Sequence, residues 1–501
     1  MEYDVIIGLE IHAELKTKSK MFCACDNDAE GKAPNTTVCP ICMGHPGTLP
    51  SPNKQAIEWT ILTGLALNCK IHDKSKFDRK NYFYPDLPKG YQISQYDLPF
   101  CYEGYLELDG NKVAITRIHL EEDTGKLTHP QGKNHSLVDF NRAGTPLMEM
   151  VTEPVIRDAA TAKKFCQTFR EILRYLDISD ADMEKGQMRC EANVSLQARG
   201  SWKHENGQIL PIGDHKLNPK VEVKNINSFR AVEKAINYEI KRQTEALTID
   251  EEIVQETRGW DENRSVTVRQ RIKESSADYR YFPEPDIPPI NITPEMILKI
   301  RSALIELPPA KKIRFMEQYS LDAEAAEILT SDKNLAAYAE NVISELREWI
   351  GANGDNWERQ RKKLSKAASN WLVGELFMHL KKDNLTIKDV KITPENFAEL
   401  ITLVFQDKIN SSVAQKILAI MYKKGGDPTN IMSDLGLEQL DDETELESIV
   451  ASVLAENPTQ VDEYRAGKTN ILQFLVGKTM AATKGKANPK KAAEIIKRLL
   501  K

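Results

Sequence analysis

Four stretches of this chain alternate apolar and polar residues with the period of a β-strand. In each, the polar face carries acids, amides or imidazole where an ordinary sheet would carry Thr, Ser or Lys. Across residues 5–13, Ile7, Leu9 and Ile11 share one face while Gly8, Glu10 and His12 share the other, so Glu10 and His12 are neighbours. Across 188–197, the apolar set Met188, Cys190, Ala192, Val194 and Leu196 leaves Arg189, Glu191, Asn193 and Ser195 opposite. Residues 147–152 put Glu149 and Val151 on one side, and residues 115–120 lead Arg117 and His119 into Glu121, Glu122 and Asp123. Any one of these reads as the wetted face of an antiparallel sheet. Asp, Glu and Asn are poor strand formers, however, and their recurrence in four strands points to a shared acidic cleft. Carboxylate oxygens with an occasional imidazole are donors that Mg²⁺ accepts when it also holds phosphate.

A chain of 501 residues, 41 % hydrophobic and 28 % charged, is expected to be a soluble globular protein of two to four domains. Its net charge of −6 gives no global signature for nucleic acid, so any such contact must come from a local patch. No apolar run approaches a membrane span, and a strand begins at Tyr3 without a signal-peptide pattern. The expected setting is cytoplasmic, with no membrane partner. In that compartment eight cysteines argue for thiols or metal ligands over disulfides.

Residues 1 to about 290 read as a mostly antiparallel β-rich region with a few helices, at 159–176 and about 228–247, the latter capped by Asn227 or Ser228. Four prolines across 283–289 should then stop regular structure. Beyond them, Thr293-Pro294-Glu295 and Thr393-Pro394-Glu395 each look like a helix start with Pro at the first helical position, and the remainder has helical periodicity. The fold class is therefore α+β, with an all-α C-terminal half. Near the C-terminus, residues 434–463 carry ten acids and no Lys or Arg, whereas 468–501 carry nine basic residues against Glu494 alone. That reversal makes the tail the local basic patch.

Cys23-x-Cys25 and Cys39-x-x-Cys42 offer four thiols in two close pairs, a spacing that suits a tetrahedral Cys₄ zinc site. With all four positions filled by protein, such a metal would be structural. His45 follows too closely to need a ligand role. The segment 78–91 mixes cations, aromatics and turn residues, as a loop facing phosphate and a base or ribose would, although buried tyrosines in a packed loop explain the composition equally well. Gly477-Lys478-Thr479 is not a phosphate loop, since Gln473 stands where the first Gly of that pattern belongs. No Gly-x-Ser-x-Gly elbow or cysteine nucleophile context is present, which argues against amide hydrolysis by this chain.

Residues 8–15 (GLEIHAEL), 76–86 (KFDRKNYFYPD), 91–95 (YQISQ), 121–126 (EEDTGK), 141–147 (NRAGTPL) and 279–286 (YRYFPEPD) resemble the GatB family, one of the three subunit families of the tRNA-dependent amidotransferase GatCAB. The resemblance covers nearly the whole chain. It implies a catalytic cradle domain over 1–292, a helical domain over 293–405 and a YqeY-like tail over 406–501 that leans on tRNA. It also implies an ATP-dependent carbon–nitrogen ligase with glutamine as amido donor. The side-chain carboxylate of Glu on misacylated tRNA(Gln), or of Asp on tRNA(Asn), would be phosphorylated by ATP and then amidated. Ammonia would come from a GatA-like amidase partner, with a GatC-like small subunit wrapping both. By motif position Glu10, His12, Glu122 and Glu121 would hold Mg²⁺, with Glu149 in the same Mg/ATP set and Lys80 and Glu191 around it. Structural Zn²⁺ at Cys23, Cys25, Cys39 and Cys42 rests on the spacing as well as on the family.

Strict alternation from His119 puts Glu121, not Glu122, on the face of His119, so the direct ligand stays open between them. A competing reading makes the chain a zinc-containing tRNA-binding scaffold, which would use the basic tail and aromatic loop but not converging carboxylates.

Overall fold

The computed structural model describes residues 2–272, 279–352, 354, 356–436, 443–483 and 486–500. Residues 437–442 of the acidic block, and Lys484 and Lys501 of the basic tail, thus lie outside the described residues. Two compact units divide the chain, Met1–Leu307 and Pro308–Lys501.

In the first unit the described residues form a nine-stranded sheet. Its order from edge to edge is Val266–Ile272, Glu256–Asp261, Val221–Ile226, Met188–Ala198, Tyr3–Glu14, Pro146–Thr152, Asn111–Glu122, Cys101–Leu108, Lys70–Ile71. Neighbours are antiparallel except Val221–Ile226 against Glu256–Asp261. The four acid-faced stretches are four consecutive strands of this sheet. Their other faces bury Ile7, Ile11, Ile118, Leu120, Met150, Ala192 and Val194 in one core with helices α1 (Lys54–Ala66), α2 (Ala159–Tyr175) and α3 (Phe229–Thr248). Phe165, Phe169 and Ile172 of α2 and Val232 and Ile236 of α3 complete that core at helical spacing. Asp158 caps α2 by accepting from the Thr161 N–H at 2.8 Å, and Ser228, not Asn227, caps α3 by accepting from Ala231 at 3.0 Å.

The proline segment does not end regular structure as expected. Phe282–Pro283 pairs with Asp78–Asn81, and Ile290–Asn291 pairs with Lys74–Ser75, because short edge strands tolerate a missing donor. Helix α4 (Pro294–Arg301), capped by Thr293, then packs Met296, Ile297 and Ile300 onto the same core, which carries the first unit on to Leu307. In the second unit one apolar cluster runs from Phe315 to Met432 and another from Leu446 to Leu500. The helix Pro394–Phe405 starts at Thr393 as its motif indicates, and Gly477-Lys478-Thr479 sits inside the helix Ile471–Ala482. No described helix is long and apolar enough to cross a membrane.

Where α3 covers the sheet edge, the fully buried Glu239 carboxylate receives Arg242 at 2.8 Å, Arg258 at 3.2 Å, Gln243 at 3.2 Å and the Thr267 hydroxyl. Removing it would take one of two carboxylates from the Arg258 guanidinium, whose side chain is only 12 % exposed, and leave Glu256 at 2.8 Å as the other. Breaking one side of a buried pair typically costs about 3–5 kcal/mol, so Glu239→Ala should lower the chemical-denaturation midpoint sharply. An unchanged midpoint would mean the network contributes nothing net.

Candidate active site

The register of the sheet decides which polar residues meet. Arg189, His12, Glu149 and His119 are direct cross-strand partners in one row, and Glu191, Glu10, Val151 and Arg117 form the next. Facing pairs of this kind stand within side-chain contact. Glu121 pairs with Leu147, one step diagonal to Glu149. On the neighbouring Val221–Ile226 strand, Glu222 and Lys224 share the same face, and Lys224 Nζ reaches Glu191 at 2.9 Å and Glu222 at 3.5 Å.

Glu149 Oε2 lies 3.3 Å from His12 Nε2 and 3.3 Å from His119 Nε2, while Arg117 stands 3.6 Å from its other oxygen. Glu121 lies 3.9 Å from His12 and 3.7 Å from His119, and accepts from the Ser94 hydroxyl at 2.8 Å. Glu10 is 3.9 Å from His12. Burial by itself would push the His12 imidazole down, but Glu149, aided by Glu121 and Glu10, carries it up to about 9. The His119 imidazole is raised against its burial by the same two acids, Glu149 and Glu121. Burial works against the Glu149 carboxylate too, yet the two imidazoles hold it well below the usual range. Burial and Glu149 push Glu10 up.

These residues line a cavity of about 580 Å³, which also receives Lys80, Asp123, Arg189, Asn193, Lys220 and four tyrosines. The Lys80 ammonium keeps its proton despite burial because Glu121 and Glu149 face it. Its Nζ stands 5.2 Å from the Tyr279 ring centroid. Tyr96 and Tyr281 stack at 4.4 Å with planes 11° apart, and Tyr279 meets Tyr281 and Tyr82 edge-on at 6.0 Å each. At the cavity floor Asp123 works against its burial to stay charged, held by Arg189 at 3.1 Å and Arg142 at 3.7 Å.

Among the described residues three ligand sets suit a divalent cation: Glu10, His12 and Glu149; His119, Glu121 and Glu149; and Glu10, Glu191 and Glu222, each with its donor atoms within 4.8 Å of one another. The buried Nδ1 of His12 has no hydrogen-bond partner, and the donors are the carboxylates and imidazoles that a hard cation takes. Glu122 does not join them, which corrects its expected convergence with Glu10 and His12. Alternation turns it to the face opposite Glu121, where it is 2.6 Å from Lys89 and accepts from the Ile93 N–H at 2.9 Å. There it lines a separate cavity of about 210 Å³ beside the cysteine loop, with Arg79, His45 and Cys42.

The sulfurs of Cys23, Cys25, Cys39 and Cys42 also lie within 4.8 Å of one another. A hydrogen bond from Cys23, with the Cys39 N–H at 3.2 Å, brings the Cys42 thiol down to about 5, so one thiolate is already favoured there. His45 is outside the group. Sequence reasoning places His119 on the cleft without a ligand role, and does not reach Lys220, Glu222 or Lys224. The alternation of Val221–Ile226, VEVKNI, carries the same signal as the other four strands.

A sequence profile of the GatB/GatE catalytic domain matches residues 5–298, and one described as the GatB domain matches 357–500. A protein of Thermomicrobium roseum is 45 % identical over 506 residues, covering 100 % of this chain and 99 % of its own length. Relatives from Persephonella marina and Dehalococcoides mccartyi are 44 % and 45 % identical, over 100 % of this chain and 100 % and 99 % of theirs. All three are named as the B subunit of an aspartyl/glutamyl-tRNA(Asn/Gln) amidotransferase. The cavity built on the acid-faced strands falls within the catalytic-domain match, and by profile and by full-length identity this chain belongs to the GatB family.

Proposed function

We propose that this chain is the kinase and transamidase subunit of a tRNA-dependent amidotransferase. It phosphorylates the side-chain carboxylate of Glu or Asp on misacylated tRNA(Gln) or tRNA(Asn) with ATP, and amidates the product with ammonia from an amidase partner in a complex with a small third subunit. The observation that carries this reading is the pair of cross-strand rows that brings Glu10, His12, Glu149 and His119, with Glu121 one step diagonal, to one cavity wall beside Lys80. A scaffold that only binds tRNA has no use for that convergence.

Mg²⁺, when bound, neutralises the transferring phosphoryl group and orients its oxygens. Glu10, His12 and Glu149 would hold it, with His119 and Glu121 as the adjoining set. Lys80 adds a fixed positive charge where the carboxylate attacks the γ-phosphorus and ADP leaves. Ammonia then attacks the acyl carbon and phosphate departs, while the tyrosine wall limits water at the reactive anhydride. Lys224 holds Glu191 in place beside Glu10. The four cysteines hold a structural Zn²⁺, and residues 406–501, which include the apolar cluster between Leu446 and Leu500, form the tRNA-contacting tail.

Glu10→Gln, His12→Ala and Glu149→Gln should each lower tRNA-dependent ATP hydrolysis by ~10²-fold or more, because each removes a ligand or a charge stabiliser. Gel-shift titration should show tRNA binding nearly intact. If all three variants amidate normally with ammonium as donor, the cavity is not where the chemistry occurs.

Elemental analysis of protein prepared without chelator should find one zinc per chain. Any Cys-to-Ser change at 23, 25, 39 or 42 should release it and expose the loop to protease, since a structural zinc contributes on the order of 10 kcal/mol to its local fold. A metal-free, fully folded wild-type protein would contradict the assignment.

In the tail, Arg498 is paired with Glu443 at 3.0 Å and Glu447 at 2.8 Å, so part of its charge is used internally. Lys478, Lys490 and Lys497 are exposed. Replacing these three with Gln should weaken tRNA binding and reduce the salt slope by roughly 0.7–0.9 for each phosphate left unneutralised, with little change in kcat. Unaltered affinity and slope would make the tail a structural cap.

A further inference from the structure

The tyrosine wall at the mouth of the large cavity has a feature that packing alone does not explain. Tyr96 stacks on Tyr281 at 4.4 Å and nearly parallel, yet Tyr96 remains 60 % exposed. One face of its ring is covered by Tyr281, and much of the rest is open to solvent at a cavity whose inner wall carries the carboxylates, imidazoles and Lys80. Tyr281 is held from behind by Tyr279 at 6.0 Å, and Tyr279 by Tyr82 at 6.0 Å, so the platform is braced by ring contacts along its length. A preformed, edge-supported ring with a free face is what an unpaired base stacks on.

We propose that Tyr96, backed by Tyr281, is the stacking platform for the unpaired 3′-terminal adenine of the aminoacyl-tRNA substrate. This rests on the function proposed above and adds the subsite that positions the substrate. Only a few bonds separate the terminal ribose from the side-chain carboxylate of the amino acid esterified to it. A carboxylate presented to the Lys80 and Glu149 wall therefore leaves that ribose and its base at the mouth, where the open ring stands. A polymer end also suits the surroundings better than a free nucleotide does. The chain that enters here passes from the solvent-exposed ring inward, and further exposed rings, Phe83 at 89 % and Tyr84 at 61 %, follow directly after Tyr82.

The test uses the complete amidotransferase complex, comparing wild type, Tyr96→Ala and Tyr96→Phe. For Tyr96→Ala the apparent KM for misacylated tRNA should rise roughly 5- to 100-fold with KM for ATP unchanged, whereas Tyr96→Phe keeps the ring and should restore the KM. Independently of turnover, filter binding compares intact uncharged tRNA with the same tRNA lacking its 3′-terminal adenosine. Wild type should bind the shortened tRNA more weakly, and Tyr96→Ala should bind the two alike. A rise in KM for ATP alone would assign the ring to the nucleotide and overturn the proposal, as would equal sensitivity of both proteins to loss of the terminal adenosine. Absence of ATP hydrolysis by the wild-type complex would sink the functional reading but leave the binding comparison able to decide the platform.

Discussion

Glu149 stands between His12 and His119 on three adjacent strands, and the rest of the cavity depends on that register. A slip of one residue would turn every side chain of a strand to the other face. The Pro146–Thr152 strand would then bury Glu149 among Ile11 and Ile118 while presenting Met148 and Met150 to the cavity. The apolar face beneath α2 and α3 therefore fixes the polar face above. The chemistry-bearing residues need no loop to hold them in place, because the core packing of the same strands does so.

Such a polar face is costly to bury, and alternation of sign keeps the cost bounded. Carboxylates at Glu149 and Glu121 face imidazoles at His12 and His119 and the ammonium of Lys80, and Glu191 faces Lys224. Removing one member leaves a charge without its partner in a place water reaches poorly, which is far more damaging than the net worth of the pair. At the far end Glu14 has no such cation to itself. Burial and the nearby Asp123 push its carboxyl up to about 8, so it is neutral there while Arg189 and Arg142 serve Asp123.

Asp123 also ties the cavity to the cysteine loop. Its carbonyl accepts from the Gly144 N–H at 2.9 Å and its own N–H donates to Thr145 O at 2.8 Å, while Gly144 O accepts from the Met21 N–H at 2.7 Å. Gly144 adopts φ +88°, which a side chain would strain. Lys20, 1 % exposed, runs past this turn to place its ammonium 3.9 Å from Cys42 Sγ and 3.4 Å from Phe140 O. Order in the cysteine loop is thus transmitted to the cavity floor through backbone hydrogen bonds and one buried lysine.

Much of this was written in the sequence in a form that local physics can decode. Strand alternation separated Glu10 and His12 from Ile7 and Ile11, the residues Ser228 and Thr293 marked helix starts, and the cysteine spacing grouped four thiols, because each signal depends on neighbours along the chain. The same alternation already placed Glu121 with His119, and it prevails over the motif-based grouping of Glu122 with Glu10. What the sequence could not contain is which strands lie side by side. Only pairing between distant segments, two of the three pairs across more than a hundred residues, put Arg189, His12, Glu149 and His119 in one row, and only the fold stacked Tyr96 on Tyr281 and turned Glu122 toward Lys89. Periodicity is a property of a segment, whereas convergence is a property of the register between segments, and that register was decided by the packing of the common core.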